Sequence, residues 1–300
     1  MLFRSVLALN KNENAQIYIL DPDRGRLLGT VNTPGADQYR AIAAAADGQL
    51  FLAALASEGS AFKLYRYADE QSLPELVFTG MLSGRSGDAL AVAETESGKV
   101  LYVSGIDNPK LFTLRSQDGQ LYRRAGDLVL VEPGAAGSSI APAPGGAYLF
   151  IKGPGKPTRY IRSSGELVHT FDPALPTGTT VHCFQVPDES GGARTFLAAG
   201  HGFTPVSRVL ELLGASGEGL CDSLYVLPAP TPMYSSQTNA NGTAQLVYIP
   251  VSHLLLELTT NNGLAAYQMT PGMPRPQMAC GPLIGRGKDA AQKKPLTTAE

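Results

Sequence analysis

The chain has no tryptophan and only three cysteines in 300 residues. Cys183, Cys221 and Cys280 are odd in number and show no CxxC spacing, which excludes both a disulfide framework and a structural zinc site as expectations. No run of 18 apolar residues occurs, so no segment reads as a transmembrane helix. The apolar N-terminal stretch breaks at Asn10, too soon for a secretory core, and no cleavage motif follows it. The net charge is only −2. Bulk electrostatics therefore favours neither nucleic acid nor an anionic membrane as partner. Helical periodicity is nearly missing as well. The tempting stretch from Tyr39 to Ala46 is alanine-rich, but Asp47-Gly48 follows at once and then the strand-like Leu50-Phe51-Leu52. A strand, a tight turn and a second strand fit it better than one helix.

What the chain does have is 33 glycines and 22 prolines, spread between short apolar runs rather than gathered in one linker. Many short strands joined by many turns would use them in this way. The runs come in sets of four: 40–46, 50–56, 62–68 and 74–80; 88–95, 99–106, 110–117 and 121–131; 138–143, 147–152, 158–163 and 167–171; 178–186, 194–200, 207–213 and 220–227; 233–239, 244–251, 254–260 and 263–269. The spacing of set starts is close to the roughly 40–50 residues of a propeller blade. Asp47-Gly48, Ser97-Gly98, Gly145-Gly146 and Asn241-Gly242 fall between first and second runs. Asp118-Gly119, Ser164-Gly165 and Asn262-Gly263 fall between third and fourth. Such dipeptides accept positive φ and close tight hairpins.

The expected fold is thus all-β, a β-propeller of about six four-stranded blades, with seven as the alternative. The first blade is incomplete: residues 4–10, 15–21 and 26–32 give three strands, with no room for one before them. Either the segment 278–284 supplies the missing strand or upstream sequence does. The propeller is expected over 1–272. The proline- and lysine-rich tail, 273–300, is expected to be largely disordered.

Candidate ligand-binding residues follow from the starts of the innermost strands, which in a propeller sit at the mouth of the central channel. They are Arg40, Arg85 and Asp88 in Gly84-Arg85-Ser86-Gly87-Asp88, Ser139 in Ser138-Ser139, His182, and Ser235-Ser236. Arg85 can clamp a carboxylate or phosphate through its planar fork. Alternatively, Asp88 caps the turn and pairs with Arg85, and the pair only fixes neighbouring blades. Of the four histidines, His169, His182, His201 and His253, no two have metal-ligand spacing on one element. His201 lies between two glycines and can reach a ligand. Neither a GxSxG elbow nor a phosphate-binding glycine loop is present. Asn241-Gly242-Thr243 fits a glycosylation sequon but reads better as a hairpin. No cofactor and no resident metal are expected.

Several pieces in order carry a family resemblance: Asp47-Gly48-Gln49-Leu50-Phe51, Phe62-Lys63-Leu64-Tyr65-Arg66-Tyr67, Gly84-Arg85-Ser86-Gly87-Asp88 and Asp118-Gly119. From Gln38 to Leu130 the chain resembles the DUF4623 family of uncharacterised bacterial propellers. In that family an aromatic residue, often tryptophan, stands where this chain has Tyr67, and another commonly stands where it has Ser86. The resemblance implies a propeller and no chemistry; members of the family are usually exported, whereas this chain shows no export signal, so the sequence leaves its compartment open. The functional expectation is a non-catalytic module that binds a small molecule, glycan or protein at the channel mouth. The alternative is a channel-centred hydrolase resembling metal-dependent propeller lactonases, with Asp37, Asp88 and Asn239 as oxygen donors.

Overall fold

A computed structural model describes residues 6–10, 16–21, 26–35, 37–116, 118–171, 180–200, 206–212, 223–228, 244–259 and 263–269. Among the described residues there is no helix, and every regular element is a strand in a small antiparallel meander. The first sheet holds β1 (Val6–Asn10), β2 (Gln16–Leu20) and β3 (Leu27–Val31). The second holds β4 (Tyr39–Ala44), β5 (Leu50–Ala54), β6 (Ala61–Tyr67) and β7 (Glu75–Met81). The third is β8 (Ala89–Thr95), β9 (Gly98–Ser104), β10 (Lys110–Ser116) and β11 (Tyr122–Val129). The fourth is β12 (Ser139–Pro142), β13 (Tyr148–Lys152), β14 (Thr158–Arg162) and β15 (Leu167–Phe171). The fifth is β16 (Val181–Pro187), β17 (Ala193–Ala199), β18 (Val206–Leu212) and β19 (Ser223–Pro228). The sixth holds β20 (Ala244–Ile249), β21 (Leu254–Thr259) and β22 (Gly263–Gln268). Strands β4, β8, β12, β16 and β20 lie side by side in that order, each the innermost of its sheet.

The second strand of each sheet shows why these sequences form blades. On β5, Phe51 and Ala53 pack toward the third sheet, while Leu50, Leu52 and Ala54 pack toward the first. On β9, Leu101 and Val103 face the second sheet, and Val100 and Tyr102 face the fourth. Alternate residues thus feed two different apolar layers, so the strand reads as one continuous apolar run instead of an alternating one. The innermost strands carry small residues, Ala41 and Ala43, Ala89, Ala91 and Ala93, and Ala141, as wedges converging on an axis require. The alanine-rich stretch at Tyr39–Ala46 is the first of these.

The turns stand where the dipeptides placed them. Gly48, Gly98, Gly119, Gly145, Gly146 and Gly165 all have φ between 70° and 105°, a region open to glycine at little steric cost. Asn241-Gly242 and Asn262 lie outside the described residues, as do Arg4, His201, Cys221, Ser235-Ser236, Asn239, Cys280, the 278–284 segment and the tail. One register is corrected. Residues 244–251 were expected as the second run of the last set, but β20 lies directly beside β16 in the innermost position, its Leu246 and Tyr248 buried against Phe184 and Val186. Among the described residues the first sheet has three strands, as expected. Exposed Leu27 and Leu28 mark β3 as an outer strand.

Candidate ligand site at the inner strand starts

Meander topology sends the loops before each innermost strand, and those joining second to third strands, to one end of the channel. The segment Gly84 to Asp88 belongs to that set. Arg85 grips Asp88 through two parallel bonds, Nε to Oδ2 at 2.6 Å and Nη2 to Oδ1 at 2.7 Å. Asp88 Oδ2 also accepts the Ile106 amide at 3.1 Å. The Asp88 side chain is 8% exposed and that of Arg85 43%. Buried Asn108 donates through Nδ2 to the carbonyls of Ser83 and Arg85 at 2.9 and 2.6 Å. Two glycines let the loops close. A Cβ on Gly87 would stand 2.3 Å from the Ala54 carbonyl oxygen, and one on Gly105 would stand 2.2 Å from that of Arg85. Here the Arg85 fork, which can clamp a ligand, already holds a carboxylate of its own chain. The bond from Asp88 raises the Arg85 guanidinium above the usual arginine value.

Ser139 and His182 are tied to the next blade. The Ser139 hydroxyl donates to the Val181 carbonyl and accepts the Val181 amide, both at 3.1 Å. His182 Nε2 accepts the Tyr248 amide at 3.2 Å, so this nitrogen is unprotonated. The ring stacks on Phe184 with centroids 5.8 Å apart, and its desolvation depresses the imidazole to about 4. Neighbouring Cys183 is half-buried, and desolvation pushes its thiol up to about 12, which leaves it a neutral thiol at ordinary pH.

Arg40 differs. It occupies a β-bulge, since Tyr39 pairs with Ala54 and Ala41 with Ala53, leaving Arg40 without a cross-strand partner. Its Nε is sealed from solvent with no hydrogen-bond partner, and no carboxylate among the described residues pairs with it. Nearby Asp37 is committed elsewhere. Lys63 Nζ lies 2.9 Å from its Oδ2, and the Tyr65 hydroxyl donates to the same oxygen at 3.2 Å. Tyr39 meets Tyr65 edge-on at 6.0 Å. Burial raises the Tyr39, Tyr65 and Tyr67 phenols above their ordinary value. The sequence offered Asp37 only as an oxygen donor. Its lysine and tyrosine partners lie 26 and 28 residues away, a pairing that only the blade register reveals. Among the described residues no cluster of three histidine, cysteine or acidic side chains could hold a metal ion. A cleft of about 370 Å³ between β7 and β11, lined by Leu76, Phe78, Leu121, Arg123 and Arg124, lies on the rim, away from these residues.

Small antiparallel meanders set side by side by their innermost strands, with apolar layers between them, define a β-propeller. No protein-family model and no curated protein sequence matches the chain. Among solved structures it is similar to a DUF4623 family protein from Bacteroides eggerthii, at a TM-score of 0.66 and 14% identity over 89% of this chain and 68% of that one. It is also similar to a protein of unknown function from Bacteroides caccae, at 0.55 and 12% over 89% and 90%. The periplasmic gluconolactonase of Pseudomonas aeruginosa gives 0.57 and 15% over 89% and 79%. At these identities the likeness is one of fold. No helix among the described residues is long and apolar enough to cross a membrane.

Proposed function

We propose that the protein is a non-catalytic binding module that holds a small molecule, a glycan or a protein segment at the channel end where the innermost strands begin. The observation that supports this reading is the commitment of the side chains there that could move protons. His182 spends its free nitrogen on the Tyr248 amide, Ser139 both donates to and accepts from Val181, and Asp88 is held by Arg85 and Ile106. A nucleophile needs a base within hydrogen-bond reach; Ser139 and His182 are instead bonded across blades, and Asp88 within its own loop and sheet. Cationic donors remain, and they bind without exchanging protons. A thermal-shift screen of glycans, peptides and small metabolites tests the reading. A ligand should raise the melting temperature of the wild type, and Arg85→Ala should weaken that shift if the Gly84–Asp88 loop borders the site. A screen with no ligand in any class counts against the module.

The likeness in fold to a gluconolactonase motivates a second reading, a channel-centred hydrolase using a divalent cation. It would require Asp88 to release Arg85 and Asp37 to release Lys63. Elemental analysis separates the two: a stoichiometric divalent cation in the purified protein would favour the hydrolase.

A further inference from the structure

We propose that Arg40 anchors the ligand of this channel and that the ligand carries a single carboxylate. The inference rests on the binding-module reading and adds to it the residue and the chemical class. Three observations converge on Arg40. It sits on β4, an innermost strand, near the loop end of the channel. It occupies the extra position of a bulge, a device that re-aims a side chain and recurs beside functional sites. The bulge also switches faces: Tyr39 packs toward the first sheet, whereas Ala41, two residues on, packs toward the third.

The third observation is the state of the guanidinium. Arginine stays charged at any pH the fold survives, and a buried donor ordinarily has a partner. The Arg40 Nε–H is sealed and has none. Two other cations near this end are matched: Arg85 by Asp88 and Lys63 by Asp37. With Nε sealed, the guanidinium offers a ligand its two Nη groups, whose parallel N–H donors fit the two oxygens of a carboxylate. One unmatched positive charge balances a monoanion. A phosphate dianion would want a second free cation, and the neighbouring ones are already paired.

The test reads the Arg40 Nε–H directly. In ¹⁵N-labelled protein its resonance is identified by its disappearance in Arg40→Lys. Acetate, lactate and benzoate are titrated at constant ionic strength beside inorganic phosphate and glucose. The Arg40 line should move saturably with at least one monocarboxylate and not with glucose, and Arg40→Gln should weaken that binding at least tenfold. A line that no carboxylate moves, or that phosphate moves at lower concentration, overturns the assignment. Because the wild-type titration carries the result, a variant that folds poorly does not remove it. A neutral glycan or peptide that binds wild type and Arg40→Gln alike also overturns the anion assignment while leaving the binding module standing. A stoichiometric divalent cation in the purified protein would count against the module itself.

Discussion

At the scale of single residues, two polar groups near the channel hold neighbouring blades together. Ser139 and His182 bond backbone atoms of the adjacent blade, so they fix the angle between wedges. His182 makes this measurable. In the unfolded chain its imidazole titrates near the ordinary histidine value of about 6.5; in the folded protein desolvation holds it to about 4. Between those values the unfolded state binds a proton that the native state refuses, so stability falls as pH drops through that window. The upper bound is about 3 kcal/mol by linkage, lessened by the ring's partial contact with solvent. Protonation would also turn Nε2 from acceptor to donor and break its bond from Tyr248. His182→Gln keeps an acceptor but cannot titrate. We expect denaturant melts at pH 7 and pH 5 to show a steeper loss for wild type than for His182→Gln. Parallel losses would mean that His182 is not the titrating group.

At the scale of elements, glycine divides into two kinds. Gly119 closes a hairpin at φ +73° with nothing within 4 Å of where its Cβ would stand. Gly87 combines φ +95° with a Cβ position 2.3 Å from the Ala54 carbonyl oxygen. Gly119→Ala should therefore cost only the left-handed penalty of about 1–2 kcal/mol. Gly87→Ala adds a backbone clash that must push the Arg85 loop away from β5, and should cost more, roughly 3 kcal/mol or above. Urea denaturation of both variants checks the order, and equal losses would show that the loops yield easily. The contrast also explains what the sequence displayed. Hairpin glycines stand beside other turn formers at a repeating place in each set, so Asp47-Gly48 and Asp118-Gly119 could be read directly. The innermost strands of the four middle sets were legible from the spacing of the sets and the dipeptide turns within them. The last set was misaligned by one run because Asn241-Gly242 reads as the hairpin between a first and a second run, and only packing against β16 reveals that β20 is innermost. The site was less legible for a related reason. A sequence shows that Arg40, Arg85, Ser139 and His182 begin successive inner strands, but not which of them has a partner. Val181 lies 42 residues from Ser139 and Tyr248 lies 66 from His182, and a one-residue bulge at Arg40 leaves no mark in composition.

For the whole molecule, stability resides between blades more than within them. Five apolar layers join the six sheets in sequence: Ile17 and Val31 against Leu52 and Tyr67; Phe51 and Phe62 against Leu101 and Phe112; Tyr102 and Leu111 against Leu149 and Ile151; Phe150 and Tyr160 against Leu197 and Leu210; and Phe196 and Val209 against Leu246 and Leu255. The four middle sheets are therefore covered on both faces. Among the described residues the first and last are each covered by one such layer. A molecule whose units touch only their neighbours opens most readily from its least-covered units. Native-state hydrogen exchange should show this as a gradient. Amides of β9 and β13 should exchange slowest, and those of β2 and β21 at least about tenfold faster, a difference of about 1.4 kcal/mol in opening free energy. Phe112→Ala, at a fully buried position between the second and third sheets, should cost about 3–5 kcal/mol and erase the advantage of β9. If β2 and β21 proved as protected as β9, a sixth layer of comparable strength would have to join the last blade to the first, and the ring would open as one unit.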